Sequence, residues 1–419
     1  MTTSSIREPR APAGPAPGAG PRAEPAPDPH PWRAAILLAL VSTGFVMLVS
    51  FLLTPWFHSS TWWFAPADAW KPLQAAQYVA NGAFGHLYEA NRYFVYLPML
   101  PIVLAPVALV QSWLRLGQSI PFPIPHPTLW IVYCPYANLV ATLPLLYAVR
   151  SLAVELGVRR RLVHLQVATL ALVVLPVVIL WGHYEDALAT ALLALAAREH
   201  LRGRLLRTAV LLGFAIGFKQ WAVVAVPAFV AFAPRGSRLR TLAVAGAIPL
   251  ALVAIPLIVD WRDTSRALLQ AQSFPALGRP ALWFGAFRHG VVGTLPRAVE
   301  VGAAAAAGWL LRRGGGAPSR LVAALGCVLL LRLAFEPALF TYYLGPSMAF
   351  LLVLDLVHTG WGLRTLLLGT LATALFLLHP PAGVWWATEA ALALGCALPA
   401  LRIAAGRTWP VRRWPAVAT

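Results

Sequence analysis

The sequence predicts an all-α fold, a polytopic transmembrane helical bundle of about 12 crossings, on three observations. Hydrophobic residues fill 59% of the 419 positions and charged residues only 11%, about half the charged share of soluble domains. Mean hydropathy is +0.69. Apolar runs recur along the whole chain, most of them closed by arginine clusters or polar turns.

The 33 Lys+Arg against 15 Asp+Glu give a formal charge of +18. Most of these cations fall in short loops between apolar runs, the bias of cytoplasmic loops, so the charge reads as topology with some attraction to anionic membrane lipids. No nucleic-acid partner is expected. Cys134, Cys327 and Cys396 lie in or beside apolar segments without a CxxC pair, as small buried hydrophobes do. Neither a disulfide framework nor a zinc site is expected.

Residues 1–33 are dominated by PRAPAGPAPGAGPRAEPAPDPHP, which cannot bury apolar surface and reads as a disordered cytoplasmic tail. The membrane domain follows over 34–402, and a basic cytoplasmic tail over 403–419. The first apolar run, 34–56, reads as a retained anchor rather than a signal peptide. Further segments are expected near 129–149, 163–181, 185–198, 207–218, 222–233, 240–259, 297–311, 320–335, 339–357, 365–379 and 385–402. Several are shorter than the ~20 residues of a straight crossing.

With Arg33 inside, Arg150 with Arg159–Arg161, Arg198–Arg207, Arg235–Arg240, Arg312–Arg313, Arg364 and the C-terminal arginines also fall inside, provided that 94–113 does not cross. Its prolines, Pro98, Pro101 and Pro106, would break a spanning helix, so a re-entrant or interfacial segment is expected there. The long outer loops are then 57–128 and 260–296, and chemistry belongs at the outer face.

Asp68 lies in the first outer loop among many aromatics, including Trp70, Tyr78, Tyr88 and Tyr96. Two readings stand: an interfacial aromatic belt with one solvated carboxylate, or a general base for a sugar hydroxyl. In WGHYED, His183, Glu185 and Asp186 open an apolar helix, as an N-terminal acidic turn or as part of an outer cleft. In FAIGFKQWAVVAVP the chain must go out and return between two basic loops, with Lys219 at the apex. A buried ammonium needs a partner, either a carboxylate of the protein or a ligand phosphate. Arg332 is four residues before Glu336, a spacing for a helical ion pair; it is equally suited to a lipid phosphate, as are Arg288 and His289. His86, His126, His164 and His183 are too scattered to suggest a metal, and no Walker A, HExxH or GxSxG pattern occurs.

Four stretches stand in a recognisable order after the outer aspartate: QAAQYVANGAFGHLYEANRYFVYLPMLPIVLAPVALV, GHYEDALATALLALAAREHLRGR, AVLLGFAIGFKQWAVVAVPAFVAF and LRLAFEPALFTYYLGPSMAFLLVL. Over roughly residues 34–360 the chain resembles the glycosyltransferase family 87 (DUF2029) branch of the GT-C membrane glycosyltransferases. It departs from that branch in reading FVYLP for a FVYPP-like stretch and GHYED for a Gly-Gln-type turn. The resemblance implies a polyprenyl-phosphate-linked sugar donor, usually mannose, and a glycolipid or glycan acceptor. It further implies an inverting, nucleotide-independent reaction outside the plasma membrane; no metal or other cofactor is expected. Asp68 would be the base, and Lys219, Arg332, Arg288 and His289 would hold the donor phosphate. Glu185 and Asp186 would match the second outer acidic position, with His183 beside them toward the sugar, and Arg332, Tyr342 and Tyr343 would border the lipid-phosphate site. A transporter or lipid flippase, and a non-catalytic envelope scaffold, are the competing classes. A transporter should carry ionisable groups in both halves of the membrane.

Overall fold

The computed structural model describes residues 32–53, 68–89, 96–114, 132–159, 161–269, 279–280, 295–313, 318–335, 338–339, 341–359, 362–378 and 381–404. Among these the fold is helical apart from a two-residue antiparallel ladder. It pairs β1 (Arg279–Pro280) with β2 (Ala338–Leu339), Arg279 opposite Leu339. Among the described residues, three helices are long and apolar enough to cross a membrane: Cys134–Glu155, Leu162–Ile179 and Arg235–Val259. Several shorter apolar helices pack beside them.

In chain order, α1 (Arg33–Leu53), α2 (Trp70–Ala80) and α3 (Met99–Trp113) precede α4 (Cys134–Glu155). Next, α5 (Leu162–Thr169) runs on as a π-helix over Leu170–Leu180. A sharp turn then opens α6 (Tyr184–Leu201), followed by α7 (Leu205–Phe218). After Lys219 come a 3-10 turn over Gln220–Ala225 and α8 (Val226–Phe232). The remainder is α9 (Arg238–Val259), α10 (Trp261–Leu269), α11 (Leu295–Arg313), α12 (Pro318–Phe335), α13 (Gly345–Thr359), α14 (Leu363–Leu378) and α15 (Ala382–Ala404).

The contacts give the bundle two chemically distinct ends. Tyr133 and Tyr184 meet edge to face, 6.1 Å between centroids, where α4 and α6 begin. Where the same helices end, Arg202 Nε donates to Glu155 Oε2 at 2.6 Å. α7 and α9 are parallel, because a Cβ on Gly213 would meet Ile248 and one on Gly217 would meet Leu252. The chain must therefore run back between them through 220–234, the out-and-back path expected around Lys219. Arg238 and Arg312 both approach the Trp309 ring at the basic end, 5.4 and 5.6 Å from its centroid. Asp68, His183, Lys219 and Arg332 gather at the other end.

Small residues make this packing possible. α6 is buried around most of its circumference, as a helix apolar on every face should be, and its inward alanines let α4 and α7 come close. Of the two glycines flanking the alanine run 302–308, only Gly308 is needed for approach: a Cβ there would lie 3.0 Å from the Ala228 Cα, whereas at Gly302 nothing lies within 4 Å. Gly308→Ala should therefore cost about 1–3 kcal/mol as overpacking against backbone. Gly302→Ala should be neutral or gain up to about 1 kcal/mol from helix propensity. Paired thermal melts of the purified variants measure the difference.

Two expectations need correction. The fourth helix was expected to end near residue 149, with Arg150 in the inner basic loop; instead α4 runs through a buried Arg150 to Glu155. It stops where Gly157 takes a left-handed φ of 84°, a conformation that glycine adopts without strain. The prolines of 94–113 do not break their helix: α3 is continuous from Met99 to Trp113. Pro101 falls in the first turn, whose N–H groups have no helical partner in any case, and Pro106 costs a single ladder bond. At 15 residues α3 spans about 22 Å, short of the ~30 Å hydrocarbon core.

Candidate functional site

The turn between the π-helix and α6 shapes the site. Gly182 takes φ 74°, the Gly182 amide donates to Val178 O and the His183 amide to Val177 O. The π-helix thus closes on its own carbonyls and α6 starts at once, with Glu185 and Asp186 in its first turn. The Asp68 amide donates to Trp181 O at 3.4 Å. Tyr133, fully buried, donates its hydroxyl to Ala69 O at 2.9 Å. These two bonds tie the start of α2 to the turn and bring Asp68 to His183.

From there the charges form a continuous chain. Asp68 is hydrogen-bonded by the Lys71 ammonium, and its Oδ2 lies 3.2 Å from His183 Nε2. His183 Nδ1 lies 2.9 Å from Glu185 Oε1. Lys219 Nζ donates to Glu185 Oε1 at 2.7 Å and is 3.4 Å from Asp186 Oδ2. The other Asp186 oxygen accepts from the Trp221 indole and from Arg332 Nη1, the latter at 3.1 Å. Aromatic rings wall the cluster. Tyr342 stacks on His183 at 4.3 Å, Lys219 lies 3.8 Å from the Tyr96 centroid, and Arg332 lies 3.8 Å from that of Tyr343. Lys219 can reach Glu185 because it interrupts two helices with an extended backbone, φ −149° and ψ 126°.

Exposure separates the three carboxylates. The Asp68 side chain is 22% accessible, those of Glu185 and Asp186 only 1%. Asp68 is thus the carboxylate an incoming molecule can reach, and the other two are closed in behind it. Burial raises the Asp68 pKa, but the hydrogen bond and charge of His183 and the Lys71 ammonium outweigh it and hold the carboxyl well below its usual range. The stability this gives is present above the unfolded value of about 3.9 and is lost as pH falls through the lowered folded value. The gap in thermal midpoint between wild type and Asp68→Asn should therefore shrink as pH falls from about 5 to below about 4. Melts across that range test it.

Glu185 and Asp186 do form the acidic first turn of α6, and both are buried against cations. Lys219, for which a protein carboxylate and a ligand phosphate were both open, has the carboxylates. Arg332 has Asp186 as a partner; Glu336, its expected helical neighbour, lies outside the described residues, as do Arg288 and His289. His183, Glu185 and Asp186 present ligand atoms within 4.8 Å of one another, a spacing that a metal ion could use. The Lys219 ammonium already takes that place between the two carboxylates. Sequence reasoning missed Lys71 and Trp221 as members of the site, and had Tyr96 only as one of the loop aromatics around Asp68. The i, i+3 spacing of Asp68 and Lys71 at a helix start was the available signal for the first.

No protein-family model matches this chain, and no curated protein was found to match it.

Proposed function

We propose that the protein is an integral membrane glycosyltransferase, with mannose as the sugar the family resemblance favours. It would be multi-pass in the plasma membrane, with about 12 crossings and the site end of the bundle outside. It takes the sugar from a polyprenyl-phosphate donor and passes it to a cell-envelope lipid or glycan. The observation that carries this reading is the contrast in accessibility: one reachable, ionised carboxylate in front of two closed carboxylates matched to cations.

In the proposed reaction the acceptor hydroxyl attacks the anomeric carbon from the face opposite the phosphate. The new C–O bond forms, the bond from the anomeric carbon to the phosphate oxygen breaks, and its electron pair leaves with the polyprenyl phosphate. The acceptor proton passes to Asp68. A carboxylate held this far below its usual range is a weak base, sufficient when the proton leaves late, from an oxygen already made acidic by the forming bond. The leaving group needs cations rather than a strong acid. An ammonium has three donors and a guanidinium five, so Lys219 and Arg332 can hold Glu185 and Asp186 and still offer donors to a phosphate at the cluster's edge. The carboxylates then serve to position those cations, and the tyrosine walls suit a sugar face.

The test is direct. Purified protein in liposomes is given polyprenyl-phosphate hexoses or nucleotide hexoses together with an extract of envelope lipids, and products are read by mass spectrometry. Transfer from the polyprenyl donor alone is expected. Transfer only from the nucleotide sugars, or none from either donor, overturns the reading.

A further inference from the structure

The line from Asp68 through His183 to Glu185 has the look of a proton relay, with a carboxylate on either side of one imidazole. His183 is 2% exposed, and its ring is held in one plane. It stacks on Tyr342 with 24° between the rings and meets Tyr96 edge to face. Nδ1 lies 2.9 Å from Glu185 Oε1 and 3.6 Å from Asp186 Oδ2. Nε2 is shut off from solvent and lies 3.2 Å from Asp68 Oδ2, an ion-pair contact rather than an aligned hydrogen bond. Each ring nitrogen thus faces a carboxylate oxygen, and an ionised carboxylate can only accept. A neutral imidazole has a single N–H, so one nitrogen would set its lone pair against oxygen lone pairs in a buried contact, where repulsion is strong.

We infer that His183 carries protons on both ring nitrogens and, as an imidazolium, clamps Asp68 in place: it is a positioning residue and not a proton relay. The groups around the ring favour that state. Asp68 approaches from the start of α2, and Glu185 and Asp186 from α6. The opposing cations Lys71, Lys219 and Arg332 are each bonded to one of those carboxylates. Burial alone would lower the ring's pKa, but the bonds to Asp68 and Glu185 and the Glu185 charge, opposed by Lys219, raise it above the ordinary value. A ring with both nitrogens protonated has no place for a further proton. The proton that Asp68 takes therefore leaves through the 22% of its side chain open to solvent, not toward Glu185; this consequence rests on the transfer reaction proposed above, whereas the protonation state does not. Lys71 on Oδ1 and His183 on Oδ2 fix the carboxylate's orientation, and each oxygen keeps a second lone pair for the acceptor hydroxyl.

The experiment is nuclear magnetic resonance of full-length protein in nanodiscs, isotope-labelled at the histidine ring nitrogens. At about pH 8, above the ordinary histidine pKa of about 6.5, both His183 nitrogens are expected at the imidazolium shift, in a signal missing from His183→Gln. In Asp68→Asn, which removes one of the two facing charges, that signal should disappear at a pH lower by about one unit or more. An unprotonated ring nitrogen on His183 at about pH 8, or a titration unmoved in Asp68→Asn, overturns the inference. In parallel, transfer should fall on the alkaline side together with the imidazolium signal, and His183→Gln should lower kcat by about 10–10²-fold with little change in KM, as for a misplaced reacting group. Transfer that persists after the signal is lost overturns the clamp. The imidazolium signal without transfer at any pH would uphold the protonation state and sink the proposed reaction instead.

Discussion

Asp68→Asn is expected to lower sugar transfer by about 10²–10⁴-fold, the range for loss of a positioned general base, with unchanged membrane insertion and yield. The substitution is nearly isosteric and removes the group that would take the acceptor proton. It also leaves Lys71 and His183 facing a neutral amide, so some loss of stability accompanies it. Because Asp68 is the accessible member of the cluster, Lys71 and His183 can recover water contacts there, and the fold should survive. Initial rates at saturating donor separate the effects: a fall in kcat with little change in KM is expected for a group that acts in the transition state. Transfer near the wild-type rate would remove Asp68 from the reaction.

Lys219→Met is expected to have the largest effect on stability. The ammonium lies between Glu185 and Asp186, whose side chains are 1% exposed. Removing one partner of a buried ion pair costs about 3–5 kcal/mol, because the remaining charge cannot return to water. The loss should be seen as a large drop in thermal midpoint of the detergent-solubilised protein. Lys219→Met combined with Glu185→Gln should recover part of it, since the second change removes the stranded charge. Asp186 keeps Arg332 and Trp221 in either background. Equal destabilisation by the single and double variants would mean that Lys219 stabilises by packing on Tyr96 rather than through its charge.

The helical class and most element positions were legible from apolar periodicity and arginine placement. The break at Lys219 was legible because one charged residue stood inside an apolar run bounded by two basic loops, which fixed an out-and-back path. The α4 terminus was not, because a buried Arg150 looks in sequence like a loop arginine; the left-handed Gly157 beyond it was the better marker. The continuity of α3 was also hidden, since proline is costly in a helix interior on average but cheap in its first turn. In the candidate site, the residues that repay inspection in sequence are those where a charge interrupts an apolar pattern: Asp68, Glu185, Asp186, Lys219 and Arg332. Lys71 and Trp221 attract no such notice, because a lysine or tryptophan near a membrane boundary is ordinary. Which carboxylate is accessible depends on tertiary packing around the His183 turn and cannot be read from spacing.

The account depends most directly on Asp68 facing the outside of the cell at the end of the bundle opposite Gly236. Single cysteines placed at 68 and at 236, in a background with Cys134, Cys327 and Cys396 replaced, can be challenged in intact cells with a membrane-impermeant maleimide. Asp68→Cys should react without permeabilisation and Gly236→Cys only after it. The reverse pattern, or reaction of both from the same side, would contradict it.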